Sequence, residues 1–411
     1  MSESEALERP SPPGRPAARP VILQVISRLD PDDGGPAAGS VELNAELRRL
    51  GADAHLVTTT DGHGGPELPP AARARPRERG AAVWWSKPSR PAALRLSWGL
   101  VRTVWVESRR ADLVVIHGQY LPANVAAYAA ARLRRVPYDV FTHGTLDPRQ
   151  RARSRGRKAV YNLLVGRSIL RQADRILFTS TAEQEGAADL VPAPRSCIVP
   201  LGVALGEPVA VPAIERRLTG VPRERTVLFL GRLAPVKRPL QLLEAWAAAR
   251  DGRARALVIA GPEYGVTRSE LAARAAELGV ADEVVLLGAA DLGTKSWLYQ
   301  RSGVFVLASE HENFAITVAE AMASGCAVVV SPQVAASELV AESGGGWVLE
   351  DYETATVGRA LAAALEDPEA VRARGGRALD FARTRISWRP AAQTLLDQAR
   401  RTEAAWSASR S

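Results

Sequence analysis

Residues 304–332 read VFVLASEHENFAITVAEAMASGCAVVVSP. Positions 304–308 and 327–330 are short apolar runs of the kind that form buried strands, and Gly325 is placed to end a helix between them. The pattern therefore predicts a strand, a loop, a helix and a second strand.

Two acidic residues stand between these predicted strands. Glu312 lies in the loop, and Glu320 lies on the first turn of the helix if that helix starts near Thr317. The first N–H groups of a helix lack intrahelical partners and attract anions, so this loop is suited to a phosphate. Two other interpretations stay open from these residues alone. Thr317 and Glu320 also fit a capping box, and Glu312 also fits a solvated position in the loop.

Strands and helices alternate along most of the chain. Predicted strands occupy residues 21–26, 54–58, 82–85, 113–117, 138–142, 175–179, 197–200, 226–230, 256–260 and 284–287. Predicted helices occupy residues 37–50, 92–107, 123–134, a stretch from about 182, 239–249, 355–365, 369–383 and 388–406. Such alternation indicates parallel sheets that are covered by helices on both faces.

A Pro-rich and charged passage at 206–225 interrupts this alternation, and a chain of 411 residues exceeds one ordinary core. We therefore expect an α/β protein with Rossmann-like domains at 20–205 and 226–385, joined by this linker. A disordered tail at 1–19 is expected before them, and a C-terminal helix within 386–411 after them. Ligands of such sheets bind in a cleft beyond the carboxyl ends of the strands.

Composition limits the class of protein. The formal net charge is +8 and the pI is near 9.9, which favours acidic partners, either anionic lipid or nucleic acid. Cys197 and Cys326 lie far apart in apolar runs, which argues against a disulfide framework and favours a reducing compartment. The first 19 residues lack the apolar stretch of a signal peptide, and no apolar run approaches the roughly 20 residues of a membrane helix. We expect a soluble or peripheral protein.

The segment that follows the predicted strand 226–230 is a candidate diphosphate site. Residues 231–239 read GRLAPVKRP, and Pro239 suits the first position of a helix. Cations at a helix N-terminus oppose the macrodipole by roughly 0.3 to 1 kcal/mol each, so their presence there indicates a compensating anion. Lys237 is one of only four lysines in an arginine-rich chain, which favours a compact ammonium at this point. Two solvated cations on a loop remain the alternative.

Two histidines close neighbouring predicted strands of the first sheet. His117 and His143 each precede a glycine, and the carboxyl ends of parallel strands share one sheet edge. A structural histidine is the usual alternative at such a position. We place His143 in the cleft and leave both interpretations open for His117.

The turn after the first predicted strand carries glycines and aspartates. Gly34 and Gly35 would let the backbone approach a ligand closely, although a plain turn explains them as well. Asp30 and Asp32 resemble a metal-binding aspartate pair, but their place after the first strand favours a Pro-Asp turn. We predict no catalytic metal.

The segment 149–175 is basic and amphipathic. Its cations alternate with apolar residues such as Val160, Leu163, Leu164 and Ile169. A segment of this kind can rest on an anionic membrane surface. A solvated helix face over the core is the equal alternative.

Taken together, the chain from Val21 onward resembles a glycosyltransferase of family 4, with the GT-B fold of two facing Rossmann-like domains separated by a cleft. The resemblance depends on six markers in order: Gly34-Gly35-Pro36, His143-Gly144-x-Leu146, Thr179-Ser180-x-x-Glu183, Val199-Pro200-x-Gly202-Val203, Gly231-Arg232 with Lys237, and Glu312 with Glu320 spaced as E-x7-E. It implies a retaining enzyme that uses a nucleoside diphosphate sugar and needs neither metal nor cofactor. The first domain would take the acceptor, the second the donor nucleotide, and the last helix would cross back onto the first domain.

The resemblance also assigns roles to individual residues. Arg232 and Lys237 would hold the diphosphate and stabilise charge on the departing group. Glu312 would bind a hydroxyl of the donor sugar, Glu320 would bind the ribose, and His143 would contact the donor sugar from the first domain.

Glycines and backbone groups complete the implied donor site. Gly35 would lie near the diphosphate, Gly231 beside it, and the turn at Gly288 would hold the base. Backbone N–H groups would meet the sugar and phosphate from Phe314, Ala315, Ile316, Thr317 and Val318. The family commonly has glycine at the position of Ala315. The backbone can therefore approach the sugar less freely here, and the identity of the donor sugar stays open.

We therefore predict a hexosyltransferase that uses a UDP- or GDP-linked sugar. Its acceptor would be a growing polysaccharide, a lipid-linked glycan or another glycoconjugate, with a small natural product as a further alternative. It would act in the cytoplasm or peripherally on the inner face of the plasma membrane, touching anionic lipid through 149–175. A sugar-nucleotide epimerase of the same two-domain plan is a second hypothesis. Nucleic-acid binding is a third; we predict no such partner because the arginines do not gather with aromatics in a recognisable module.

Overall fold

Two parallel sheets, one in each half of the chain, organise the fold. The computed structural model describes residues 19–30, 35–61, 67–89, 96–152, 155–199, 201–203 and 205–410. The predictions for Asp32, Gly34, Pro200 and nearly all of the tail at 1–19 lie outside these described residues. The expected α/β architecture with two Rossmann-like domains is confirmed.

The first sheet has seven parallel strands in the order β3-β2-β1-β4-β5-β6-β7. The strands are β1 (Val21–Arg28), β2 (Asp53–Thr59), β3 (Val83–Ser86), β4 (Leu113–His117), β5 (Tyr138–Phe141), β6 (Arg175–Phe178) and β7 (Ser196–Ile198). Its helices are α1 (Gly35–Arg49), α2 (Pro70–Glu78), α3 (Trp98–Glu107), α4 (Pro122–Arg134), α5 (Pro148–Ala152), α6 (Arg155–Tyr161), α7 (Arg167–Gln172) and α8 (Thr181–Gly186), with a π-helical turn, Asn162–Gly166, between α6 and α7. The reversal of strand order beside β1 places a crevice between β1 and β4.

The second sheet has six parallel strands in the order β10-β9-β8-β11-β12-β13. They are β8 (Thr226–Leu230), β9 (Ala256–Ala260), β10 (Val284–Leu287), β11 (Val304–Leu307), β12 (Ala327–Val330) and β13 (Gly346–Val348). The helices are α9 (Pro212–Arg217), α10 (Pro239–Ala248), α11 (Arg268–Glu277), α12 (Leu292–Arg301), α13 (Ile316–Ala323), α14 (Ser337–Ser343), α15 (Thr354–Glu366), α16 (Pro368–Arg385) and α17 (Trp388–Arg410).

Alternating side chains give the first sheet two buried faces. Leu23, Val114 and Ile116 join a core cluster on one face, whereas Ile22 and Val115 join the larger cluster on the other. Because successive residues of a strand point to opposite faces, such runs of apolar residues are what a sheet covered on both sides requires. The predicted strands were found for this reason.

The passage predicted as a linker contains the short helix α9 and is anchored on the second domain. Gly206 donates its N–H to Ser296 Oγ at 3.0 Å, and Val209 donates to the Gly293 carbonyl at 3.0 Å. Arg217 donates to backbone carbonyls on either side of the turn before β10. These bonds fix where the chain enters the second sheet.

The last helix, α17, returns to the first domain, as expected. It packs against α1 and reaches β1 and β4. Trp388, at its first position, fills the space beside Gly39 and Gly202, where any larger side chain would overlap it. Among the described residues, none of the helices combines the length and the apolar character that crossing a bilayer requires.

Candidate active site between the domains

A cleft of about 450 Å³ lies at the carboxyl ends of strands from both sheets. From the first domain it is lined by Gly35, Pro36, His143, Gln150, Thr179 and Leu201. From the second domain it is lined by Arg232, Ala234, Val236, Lys237, Tyr264, His311, Glu312, Asn313, Phe314, Ala315, Ile316 and Thr317. The cleft therefore brings together the predicted residues that follow β5, β8 and β11.

Lys237 and Glu312 form an ion pair across the strand ends of β8 and β11. The Lys237 side chain is only 10% exposed and that of Glu312 is 19% exposed, so the pair is largely shielded from water. The backbone of Glu312 is held by Gln333 and Ala335, which exchange hydrogen bonds with it at 3.2 Å. A solvated loop position for Glu312 is therefore wrong.

Arg232 stands in the same cleft, and none of the acidic side chains in the described residues pairs with it. Its guanidinium lies 5.0 Å from the centre of the Tyr264 ring, and no ion pair to it occurs within the described part of the chain. Arg238, by contrast, turns away from the cleft and pairs with Glu310 at 3.1 Å. Within the described residues, the candidate site thus holds the paired Lys237 beside Arg232, which has no ion pair there.

The helix α13 begins without a side-chain cap. Its N-cap is Ala315, which lies in the left-handed region at φ +64°, and Thr317 is already inside the helix. The capping-box interpretation of Thr317 and Glu320 is therefore wrong. A residue with a Cβ in this conformation costs roughly 1–2 kcal/mol, which explains why glycine would suit the position. The first N–H groups of α13 are left to face the cleft.

Glu320 faces the neighbouring helix α12 rather than its own helix start. It is buried and accepts hydrogen bonds from Lys295 Nζ at 2.7 Å and Tyr299 Oη at 2.8 Å. Burial, followed by the nearby Glu320 charge, raises the pKa of Tyr299 well above its ordinary value, so the phenol stays a donor. Two of the four lysines in the chain thus pair with the two glutamates of the E-x7-E spacing.

His143 forms the opposite wall in a strained backbone. Its φ is +47°, and the imidazole stacks on Phe141 with ring centres 4.3 Å apart. Desolvation lowers the pKa of His143 to about 4, and burial followed by the proximity of His143 lowers the pKa of His117. His117 Nδ1 and His143 Nε2 are 2.8 Å apart. Both rings are therefore neutral near pH 7 and share one proton between these nitrogens.

A buried polar chain fixes this pair of histidines from behind. Gln24 on β1 lies 3.5 Å from His117 Nε2 and accepts a hydrogen bond from Asn44 on α1 at 2.8 Å. Asn124 on α4 donates to the His117 carbonyl at 3.0 Å. Because each member belongs to a different element, the network appears only once the sheet has formed. His117 is thus a support for His143.

Glu183 holds the loop that carries His143. The buried carboxylate accepts from Thr142 Oγ1 and the Gly144 N–H at 2.5 Å, and from the Thr179 N–H and Oγ1 at 2.8 Å. One carboxylate therefore ties the ends of β5 and β6 together. The sequence marker Thr179-Ser180-x-x-Glu183 contained this signal, but it gave no role to Glu183.

A second pocket of about 250 Å³ adjoins the cleft within the first domain. It shares His143 and Pro36 with the cleft. The remainder of its lining consists of Ile26, Ser27, Arg28, Ala37, Asp61, His117, Gly118, Gln119, Leu121 and Thr145. The buried Nε2 of Gln119 has no hydrogen-bond partner among the residues described. The pocket thus has room and polar groups for a small polyhydroxylated molecule.

The two domains touch beside the cleft. Asp147 Oδ2 lies 3.4 Å from His311 Nε2, and Arg149 donates to the Glu310 carbonyl at 3.3 Å. Asn313 packs so closely on Gly144 that a Cβ at Gly144 would overlap its amide. These contacts bring the loop after β5 onto the loop after β11.

Some predicted donor residues lie behind the cleft surface. Val318 is fully buried, and Gly231 backs onto the Lys237 side chain. Gly288 follows β10, where its carbonyl accepts the Gly261 N–H at 3.0 Å. Their contacts with a donor stay predictions. Gly35 lines the cleft, and its place near the diphosphate also stays a prediction. In the described residues, no group of three or more His, Cys, Asp or Glu could hold a metal ion, and the independence from metal also stays a prediction.

Several residues of the site were not predicted from the sequence. Tyr264, His311 and Asn313 line the cleft, and Lys295 pairs with Glu320. The scarcity of lysine was a usable signal for Lys295, since the same argument identified Lys237. The others had no local signal, because their positions depend on loop conformation.

Comparison with protein families assigns each domain. Residues 34–202 match the model of a glycosyl transferase 4-like domain, and residues 212–378 match the model of glycosyl transferases group 1. The boundary between the two matches falls within the sequence that joins the two sheets. Both matches name the same kind of enzyme.

Individual relatives point the same way. A D-inositol 3-phosphate glycosyltransferase of Thermobispora bispora is 28% identical over 386 residues, which covers 89% of each chain. A GDP-mannose:cellobiosyl-diphosphopolyprenol alpha-mannosyltransferase of Xanthomonas campestris is 31% identical over 243 residues, covering 59% of this chain and 61% of that relative.

A solved structure supports the fold. Anabaena Alr3699/HepE, crystallised in complex with UDP and glucose, has a TM-score of 0.72 at 20% identity, covering 94% of this chain and 100% of that one. The two facing sheets, the returning helix and both family matches agree, and the chain belongs to the family-4-like glycosyltransferases with the GT-B fold.

Proposed function

We propose that this glycosyltransferase moves a hexosyl group, with retention, from a UDP- or GDP-linked sugar to a hydroxyl of a glycan, lipid-linked or small-molecule acceptor. The observation that carries the proposal is Arg232, which has no ion pair among the described residues, beside the Lys237–Glu312 pair in the cleft where α13 starts. A cation without a partner next to free helix N–H groups favours a bound anion. The diphosphate of a nucleotide sugar supplies one.

The donor half would work by electrostatics. As the bond between sugar and diphosphate breaks, negative charge grows on the departing diphosphate. Arg232 can form two parallel hydrogen bonds with phosphate oxygens, and Lys237 adds a compact charge. Stabilising charge where it develops is commonly the largest contribution to catalysis. The chain's own cations would thus do the work of a metal.

Glu312 and Glu320 would each bind a hydroxylated part of the donor. Each carboxylate is already oriented by a lysine, so it is held ready with its remaining lone pairs free. Glu312 lines the cleft and would accept from a sugar hydroxyl, whereas Glu320 lies deeper and would accept from the ribose. Lys295 and Tyr299 would position Glu320.

The pocket beside His143 would take the acceptor. Neutral imidazoles and the amide of Gln119 suit uncharged hydroxyls, and the volume of about 250 Å³ suits one ring. The relatives support this proposal, because one is named for an inositol phosphate and another for a lipid diphosphate-linked glycan. A separate acceptor pocket favours transfer over the epimerase hypothesis, since epimerisation needs no acceptor.

Two measurements test the proposal. A thermal-shift screen of nucleoside diphosphates and their sugars should reveal one preferred base, since a ligand at one hundred times its dissociation constant stabilises by about 2.7 kcal/mol. The preferred donor is then incubated with D-inositol 3-phosphate, with a polyprenyl diphosphate glycan, and with no acceptor. Acceptor-dependent release of nucleoside diphosphate is expected. Conversion of the donor sugar without an acceptor would instead support the epimerase.

A further inference from the structure

Helices α3, α4, α6 and α7, with the π-helical turn between the last two, form a layer on one side of the first sheet; its outer surface is here called the helical face. Their inward residues, including Leu100, Ala127 and Ile169, join one core cluster. The three successive connections, β3 to β4, β4 to β5 and β5 to β6, all run in the same direction along the sheet. Their helices therefore lie on the same side of it. The outward residues therefore share one general direction.

Large apolar side chains concentrate on the helical face. Of the thirteen large hydrophobic residues that are exposed in the described chain, seven lie on these helices. Leu163 and Leu164 are 77% and 75% exposed, Leu133 is 72% exposed and Trp98 is 67% exposed. Apolar residues scattered singly over a surface are ordinary, but clustering of this kind marks an interaction surface.

Positive charge surrounds these apolar side chains. Segments 98–110, 122–135 and 155–172 contain eleven arginines and lysines but one acidic residue, Glu107, which pairs with Arg110 at 2.7 Å. The whole chain has 53 basic and 45 acidic residues, so this excess exceeds the general composition. The face is thus both apolar and strongly basic.

The two kinds of side chain follow one stripe. From α6 to α7, an exposed side carries Val160, Leu163, Leu164, Arg167 and Arg171, whereas Ile169 and Leu170 are buried on the other side. On α3, Trp98, Arg102 and Trp105 are also exposed. Arginine can lay its apolar stem along such a stripe and extend its charge to phosphate groups.

We propose that the helical face docks on an anionic membrane surface. Lipid headgroups neutralise the arginines while the shallow acyl region accepts leucine and tryptophan. A second copy of the chain would bring two basic faces together, and a nucleic acid would leave the exposed leucine pair without apolar contact. The membrane is the partner that satisfies both properties.

The position of the face suits this role. Gln150 of α5 lines the cleft, and Lys158 Nζ on α6 donates to the Gln150 carbonyl, which links the helical face to the cleft. The docked surface would therefore continue into the rim of the cleft. An acceptor carried on a lipid would then lie close to the cleft. This statement about the acceptor rests on the proposed function, whereas the docking on a membrane does not.

Vesicle flotation of the full chain tests the proposal. With phosphatidylcholine vesicles that contain phosphatidylglycerol, we expect binding at low salt that weakens as salt is raised, and little binding to phosphatidylcholine alone. Leu163→Ser/Leu164→Ser should reduce the partition coefficient by about tenfold or more, since two exposed leucines are lost from the contact. Trp98→Ser should also reduce it, because α3 shares the face.

The matched control is Val209→Ser/Val348→Ser, which removes exposed apolar side chains elsewhere and should leave partitioning unchanged. The proposal would be overturned if the protein did not bind anionic vesicles, or if Leu163→Ser/Leu164→Ser and Trp98→Ser left vesicle binding unchanged. It would also be overturned if the protein formed a dimer that Leu163→Ser/Leu164→Ser dissociates and did not bind vesicles. Nucleoside diphosphate thermal shift is measured on every variant. Its absence alongside vesicle binding would count against the proposed function only.

Discussion

The two walls of the cleft hold their side chains by different physical means. On the second domain, Lys237 and Lys295 each pair with a glutamate, so charge fixes the geometry. On the first domain, His143 is neutral because burial lowers its pKa to about 4. Its hydrogen bond with His117, and the hydrogen bond that the Gly144 N–H donates to Glu183, fix the loop. The wall on the second domain, here called the charged wall, is held by ion pairs. The wall on the first domain, here called the neutral wall because its imidazoles are uncharged, is held by burial and hydrogen bonds.

This difference matches what each wall would meet. A diphosphate that gains charge on departure is stabilised by fixed cations, whereas an uncharged acceptor hydroxyl can be bound by neutral imidazoles and amides. It also determines how each wall fails. Removing one member of a buried ion pair leaves a charge unpaired, whereas removing one member of a neutral network leaves an orphaned donor or acceptor.

Lys237→Ala should have the largest effect. It removes one diphosphate cation and leaves Glu312 unpaired, so we expect transfer to fall by about a thousandfold with the fold retained. Initial rates and circular dichroism check this. The neighbouring Arg238→Ala is the control, because Arg238 faces Glu310 outside the cleft and should affect stability more than rate. Near-normal transfer by Lys237→Ala would remove Lys237 from the mechanism.

Glu183→Ala should have the second-largest effect, a loss of stability in the neutral wall. The carboxylate serves four donors, and its loss should lower the free energy of unfolding by about 3 kcal/mol and slow transfer through His143. Urea denaturation checks the stability. The exposed Glu185→Ala on the same helix is the control and should be nearly neutral. Equal stability of the two variants would show that the loop is held by something else.

Acid should destabilise the neutral wall. His143 has a folded pKa of about 4 against about 6.5 when unfolded, so as pH falls from 6.5 the unfolded state takes up its proton first. Stability should therefore fall between about pH 6.5 and pH 4, by about 3 kcal/mol for this residue. Unfolding measured against pH checks this. His143→Asn should make the profile less steep, and the remaining slope comes from His117, whose pKa burial also lowers. An unchanged profile in that variant would contradict the assignment.

Glu320→Ala should have the smallest of these effects. Loss of one ribose contact should raise the KM for the donor by about tenfold with little change in kcat. Steady-state kinetics checks this beside Glu338→Ala, an exposed control on α14. If Glu320→Ala lowers only the melting temperature, its pairing with Lys295 and Tyr299 serves structure alone.

Much of the fold was predictable because the strands are continuous apolar runs. The bounds of β8, β9, β10 and β12 were predicted to the residue. The helix α11 was not predicted because only Leu271 and Ala275 of its ten residues are buried. Its sequence therefore lacks a clear helical periodicity of apolar residues. The strand β13 was missed because it has three residues and starts at a glycine.

The site was predictable only where one segment carries its own signal. Arg232, Lys237 and Glu312 follow strands directly, and so they could be found from the sequence. The start of α13 could not, because Ala315 adopts a left-handed conformation that its residue type does not indicate. The support of His143 by Gln24 and Asn44 depends on contacts among four parts of the chain that are distant in sequence. No local sequence pattern indicates such contacts.

The most direct test of the charged wall is a crystal structure with the nucleoside diphosphate that gives the largest thermal shift. We expect the β-phosphate to lie within hydrogen-bond distance of Arg232 and Lys237, at the start of α13, with the ribose on Glu320. A diphosphate bound elsewhere, with Arg232 left without a phosphate contact, would contradict it.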